Sequence, residues 1–484
     1  MVSDSNKSLH PQNQDTAGLN FFYRQKGLGR PKKSLGSPKY YIREAIAGQI
    51  TVHTGLRTSE KMNNGKMKGM TLALLMMMAA FAGCLGGDDA DDAADEVSAM
   101  DASDAGYTYA SNVDNHRSLM KDLCDMKAAA SSDGGYDFAT AKDIYMNGKN
   151  AEKSDGTFRT LHGFASAEGK NHPYDAYYNM TGSVGAHIMA AMDGTGDFAG
   201  TSDTVRYQGI AKLTVNMGMV AYTIHELNSA IAKADAGNID NDTGAPHNWD
   251  EGWAFFHGPD EDYSCSPAKV MEKRAGDFGT TNADGVANTF SATEAAMVDG
   301  LAALQAGDAA GYTAAADTVV KNLVITYSQA VLKYTYKMDS NTTAEKYQAE
   351  GYAFWMAIEA LVADHTDACY NNQTHVMAWI GAGNASNCDA FSWVNYQGQE
   401  MCYNSDLHIV YEVATNETQC NGFASVFPGS GMPGYYADYG AAQMNGILDL
   451  TDASQLGTSY DVGPWLTGAW AHYGITSADI GTLQ

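Results

Sequence analysis

The sequence predicts an all-α protein: an antiparallel helical bundle carrying an internal duplication, followed by a disulfide-bearing, loop-rich C-terminal region. Three observations predict it. From about residue 115 to 362, alanine-rich amphipathic stretches recur at helical spacing and are broken by Gly, Asp, Asn and Thr clusters. Two short segments look alike, Glu251-Gly-Trp-Ala-Phe-Phe256 and Glu350-Gly-Tyr-Ala-Phe-Trp355, and each follows a long helical run. Beyond Tyr370 the composition shifts to Cys, Asn, Gly, Tyr and Trp with few helical runs.

The N-terminal elements carry no fold. Ahead of residue 84 a basic flank leads into Thr71-Leu-Ala-Leu-Leu-Met-Met-Met-Ala-Ala-Phe-Ala-Gly-Cys84, a short apolar run ending in small residues. This is the grammar of a signal peptide, assigned to 62–83, and the run is shorter than the roughly 20 residues a membrane-crossing helix needs. Phe81-Ala82-Gly83-Cys84 has the form of a lipobox, so Cys84 is the expected lipidation site and the expected first mature residue. Residues 1–61, which include Arg30-Pro-Lys-Lys33, read as a leader or a start codon set too early, since an export signal follows them. Residues 84–112 begin with Gly86-Gly-Asp-Asp-Ala-Asp-Asp-Ala-Ala-Asp-Glu96, which is small, acidic and free of aromatics, and so read as a disordered tether.

Composition supports a large exported body. The 484 residues are 44% hydrophobic, enough for a substantial core in the helical domain assigned to 113–368. From residue 84 onward 18 basic residues face 53 acidic ones, so the body repels nucleic acid and draws cations towards its surface. Six cysteines remain after Cys84: Cys124, Cys265, Cys369, Cys388, Cys402 and Cys420. In an oxidising exterior all six can pair, with the connectivity open. Sequons at Asn179, Asn241, Asn341, Asn372, Asn384 and Asn416 fit a surface glycoprotein.

The helical elements frame the residues that could carry chemistry. Val205 to Ala234 is one long predicted helix, with Ile210, Leu213, Val220, Ile224 and Leu227 at helical spacing; Thr318 to Met338 is another. If the two aromatic blocks are duplicates, Glu251 and Glu350 face one another in the bundle. The run His247-Asn-Trp-Asp-Glu-Gly-Trp-Ala-Phe-Phe-His-Gly258 interleaves polar groups with aromatics, and Asp250, Ala254 and His257 share one helical face. The preceding helix adds Tyr222, His225 and Glu226. Carboxylate, imidazole and phenolate suit ferrous or ferric iron, making His225, Glu226, Asp250, Glu251, His257 and Glu350 the candidate metal ligands. The competing reading makes the acids helix caps and the histidines satisfied core residues. Paired Glu-x-x-His, His-Glu-x-x-His, Gly-x-Ser-x-Gly and phosphate-loop patterns are absent from the sequence, so the chain reads as a non-enzyme.

At these residues the chain resembles the low-iron-inducible, iron-assimilating periplasmic protein family of green algae and other microbial eukaryotes. The blocks Ile224-His-Glu-Leu-Asn-Ser-Ala230, Trp249-Asp-Glu-Gly-Trp-Ala-Phe-Phe-His-Gly258 and Glu272-Lys-Arg-Ala-Gly-Asp-Phe-Gly279 are followed in order by Tyr327-Ser-Gln-Ala-Val-Leu-Lys-Tyr-Thr-Tyr336 and Ala349-Glu-Gly-Tyr-Ala-Phe354. The resemblance spans Asp143 to Ala363. It implies secretion under iron limitation and help with iron uptake, and it carries over no ligand assignment. The lipobox implies a prokaryotic, archaeal version. Together these readings predict an iron-binding protein held on the outer face of the cell membrane by lipid on Cys84, supplying a separate transporter. The alternatives are a surface structural or adhesive glycoprotein without metal, and a cell-surface helical hydrolase using His225 and Glu226.

Overall fold

A computed structural model describes residues 99–484, apart from 168, 169, 171, 172 and 397. The expected leader, the signal peptide, Cys84 and the acidic start of the tether lie outside the described residues. Ordered structure begins earlier than expected. Within the stretch read as tether to residue 112, β1 (Ser103–Asp104) and β2 (Tyr107–Thr108) form an antiparallel hairpin. The difference from Gly86–Glu96 is an aromatic anchor: Tyr107 is fully buried, 5.3 Å from the Trp253 ring.

Helices follow in chain order: α1 (Asp114–Ala130), α2 (Phe138–Asn147), α3 (Leu161–Ala165), α4 (Pro173–Tyr178), α5 (Ser183–Asp193) and α6 (Asp203–Lys212). A π-helical segment, Leu213–Met219, joins α6 to α7 (Val220–Asp235), so the long predicted helix is continuous with a widened turn at its centre. Then come α8 (Ala245–Phe256), α9 (Pro267–Phe278), α10 (Asn288–Ala306), α11 (Ala309–Tyr336) and α12 (Ala344–Val362). Their ends have local causes. Asp137, Ser202, Ser266 and Asp308 accept backbone N–H groups at the starts of α2, α6, α9 and α11. Gly279 and Gly307, both at left-handed φ, close α9 and α10.

Three helix pairs dominate the packing, α10 on α11, α7 on α8 and α11 on α12, with α11 also against α7 and α12 against α6 and the π segment. The two aromatic blocks occupy the second helix of the α7–α8 and α11–α12 pairs. Burial of Trp249 shows how tightly the layers meet: its indole donates to the Met297 carbonyl at 2.8 Å. A Cβ at Gly300 would come within 2.1 Å of that ring, so only glycine admits it.

Disulfides join Cys124 to Cys265, Cys369 to Cys388 and Cys402 to Cys420. The first ties α1 to the turn before α9. The other two lie in a small β-rich region of two antiparallel three-stranded sheets. One has the order β4 (Val376–Trp379), β3 (Ala368–Asn371), β8 (Tyr435–Tyr436); the other is β5 (Phe391–Tyr396), β6 (Gln399–Asn404), β7 (Ile409–Val410). Its own core gathers the four cysteines with Phe391, Tyr411 and Phe423. The chain returns as α13 (Tyr439–Ile447) and α14 (Gly463–His472), whose Met444, Leu466 and Ala469 belong to the bundle core. Among the described residues no helix is long and apolar enough to cross a membrane.

Candidate functional site

Every residue of α8 is buried, including His247, Asn248, Asp250 and Glu251. Polar side chains so placed require partners. Glu251 Oε1 lies 3.1 Å from His247 Nε2, one turn back on α8, and 3.3 Å from His116 Nε2 on α1. Asn248 Nδ2 donates to Glu226 Oε2 on α7 at 2.6 Å and to Glu251 Oε2 at 3.3 Å, bracketing the two carboxyl groups. His225 Nε2 stands 3.9 Å from Glu226 Oε1. Three helices thus converge three imidazoles and two carboxyl groups. Phe164, Tyr222 and Phe255 wall them on one side, with His116 edge-on to Phe255 at 5.6 Å and Phe164 packed on Tyr222 at 4.3 Å.

Electrostatics divide the two acids. Burial pushes Glu226 well above the usual carboxyl range, and the neighbouring Glu251 charge adds to this. Burial opposes the charge on Glu251 too, but His116 and His247 outweigh it and hold Glu251 well below that range. Burial disfavours His247 protonation, yet its bond to Glu251 wins and raises it. Of the two acids, Glu226 is thus the one whose surroundings favour the proton and Glu251 the one whose surroundings favour the charge, and that charge in turn favours the proton on His247. Ser111 extends the chain of bonds: its hydroxyl donates to Asp250 Oδ2 at 2.7 Å, leaving a lone pair for His247 Nδ1 at 2.9 Å.

The six residues singled out in the sequence part company here. Glu226, Glu251 and His225 meet in the cluster. Asp250 points elsewhere, accepting from Tyr107 Oη at 2.6 Å, Ser111 N at 2.8 Å and Ala110 N at 2.9 Å, and so fastening the N-terminal hairpin to α8. Burial lifts its carboxyl to about 6 against those bonds. Asp250 and His257 do not act together: Asp250 is taken up by the N-terminal segment, and His257 is the C-cap residue of α8. His257 instead stacks between Trp253 at 5.1 Å and Tyr263 at 4.7 Å. Glu350 does not face Glu251; its charge acts on Lys212, Tyr207 and Tyr334.

Sequence reasoning missed His116, Asn248 and Ser111 as site residues, and it quoted His247 without assigning it. The i, i+4 spacing of His247 and Glu251 was the available signal. His116 and Ser111 reach the site only through tertiary packing. Ser229 Oγ approaches His225 at 3.3 Å, but on Nε2, the same nitrogen that Glu226 approaches. A nucleophile–base–acid relay needs opposite ring nitrogens, so these three do not form one. Among the described residues no group of three or more His, Cys, Asp or Glu side chains is placed so that it could hold a metal ion as it stands.

No curated protein and no solved structure matches the chain. The family model of the low iron-inducible periplasmic protein, Fea1, matches residues 76–372, more than half of the chain and all of α1 to α12. The matched span carries every residue of the acid–imidazole cluster, and the chain belongs to the low iron-inducible periplasmic protein family.

Proposed function

We propose that this protein captures iron outside the cytoplasm, anchored by lipid on Cys84, and hands it to a separate transporter without chemical change to itself. The observation that carries the reading is the convergence of His116, His225, Glu226, His247 and Glu251 from α1, α7 and α8. Imidazole and carboxylate are the donors that suit ferrous or ferric iron, and bundle cores are where facing helices build such sites.

In the metal-free protein the donors hold one another through protons. Ligands must shed those protons to bind metal, so uptake releases the proton of Glu226 and that of His247 and replaces their mutual hydrogen bonds with a shared cation. Asn248 and Ser111 orient the acids and the imidazole from behind. Such a site loads at neutral pH and empties on acidification, which suits a carrier that must also let go.

The test is elemental analysis of the purified chain after exposure to ferrous, ferric, zinc and manganese ions and a weak-chelator wash. The expected result is about one iron per chain, lost in Glu251→Ala and His247→Ala and kept in Glu350→Ala. Parent protein that retains no iron overturns the reading.

A further inference from the structure

The body is poor in cations, yet several of them gather at one place away from the acid–imidazole cluster. Lys127 on α1, Lys212 at the end of α6, and Lys273 and Arg274 on α9 lie close enough for their like charges to act on one another. They are graded in depth: Lys273 is exposed, Lys127 and Lys212 are partly buried, and Arg274 is only 6% exposed. Lys212 Nζ and Arg274 Cζ lie 6.0 and 5.7 Å from the centre of the same Phe354 ring on α12, and Arg274 is 5.4 Å from the ring of Tyr334.

Few acids answer this charge. Glu350 is the carboxylate acting on Lys212, and Asp277 takes Arg274 Nη2 at 3.1 Å while also taking Lys333 at 2.7 Å. Among the described residues no carboxylate lies within 4.0 Å of Lys127, Lys212 or Lys273. Arg274 Nε and Nη1, buried, meet no acceptor in good hydrogen-bond geometry among the described residues, the Tyr334 side chain being the other polar group that reaches the guanidinium. Unsatisfied guanidinium N–H groups in a buried setting are costly, and they match the paired oxygens of an oxyanion.

We propose that the junction of α1, α6, α9 and α12 binds a small multivalent oxyanion of the phosphate or sulfate class on Arg274 and Lys212, with Lys127 and Lys273 at its mouth. The inference does not rest on the iron reading. The anion takes the free edge of the Arg274 guanidinium and relieves the repulsion among the four cations. Burial, with the neighbouring cations adding to it, depresses Lys212 to about 8, and a bound anion would raise it again. Glu350 limits affinity because it competes for the same ammonium group. The whole-chain charge of −27 repels anions, so saturable binding at physiological salt reports a built site and not diffuse attraction.

The experiment is titration of the purified, chelator-treated chain with inorganic phosphate by calorimetry and by thermal melting. One saturable phosphate per chain and a rising melting temperature are expected. Lys212→Gln should weaken binding at least tenfold, and Glu350→Gln should tighten it. Lys212 is partly exposed, so that variant tests the site even where Arg274→Lys fails to fold. Binding that does not saturate at millimolar phosphate, or a Lys212→Gln protein that binds as the parent does, overturns the proposal. Vesicles carrying phosphatidic acid that displace phosphate would name a lipid headgroup as the source, and vesicles without effect would name the free anion.

Discussion

Glu251 and Glu350 stand at the same point of two nearly identical blocks, each on the second helix of a hairpin, and they meet opposite chemistry. Glu251 faces two imidazoles and a second carboxyl group. The charge of Glu350 is felt by a lysine and two phenols. The block supplies a buried acid flanked by aromatics, while residues outside it decide what the acid does. On the Glu251 side those are His116, from a helix with no counterpart in the repeat, and His247, one turn upstream. The position one turn upstream of Glu350 is Lys346, and Lys212 comes from the mouth of the π segment instead.

The largest test of this contrast removes each acid. Glu251→Ala leaves His247 and His116 buried without their common partner, and breaking a buried pair on one side costs about 3–5 kcal/mol. Glu350→Ala should cost only about 1 kcal/mol, since Lys212 is partly exposed and water can take over its solvation. Urea unfolding of the metal-free proteins measures both. Equal losses would mean that the two blocks are equivalent after all.

Asp250 probes the next step out. It accepts four hydrogen bonds from the segment 107–111 and sets Ser111 against His247. Asp250→Asn keeps its shape but turns one acceptor into a donor facing donors, at a cost of about 1–3 kcal/mol. Proteolysis should then cut ahead of α1 sooner than in the parent, and the His247 imidazole should titrate at a lower pH by NMR. A hairpin as resistant as the parent's would show that Tyr107 holds it by packing alone.

The helices were legible because their apolar periodicity and their caps are local facts: Ser266 before Pro267 and Gly279 after Phe278 bracket α9 in plain view. Glu226 and Glu251 were legible for a related reason, as acids inside runs too apolar to leave them in water. His257 shares helical spacing with Asp250, but its ring is taken up by Trp253 and by Tyr263 beyond the end of α8, which spacing along one helix does not report. Asp250 was misread because its partners, Tyr107 and Ser111, sit in a stretch whose acidic beginning masks the aromatic anchors at its end. The return of α13 and α14 to the bundle core was hidden by the glycine- and asparagine-rich chain ahead of them. No local pattern reports which distant core a short helix will join.

The smallest test uses pH, where the two regions again divide. Glu251 is held below its ordinary value of 4.5, so it adds stability above about pH 4.5 that is lost as pH falls through its folded value. His247 is raised above 6.5, so its contribution is complete below about pH 6.5 and fades as pH rises through its folded value. Lys212 runs the other way. Its folded value of about 8 lies below the ordinary 10.5, so the unfolded chain binds more protons between those values and stability climbs with pH there. Glu251→Gln should flatten the acid side of the urea-midpoint profile, and Lys212→Met should flatten the alkaline rise, each leaving the other limb in place. One variant that flattened both limbs would join the two regions into a single electrostatic unit. Two independent limbs mean that residues outside the two similar blocks have given each acid its own electrostatic surroundings.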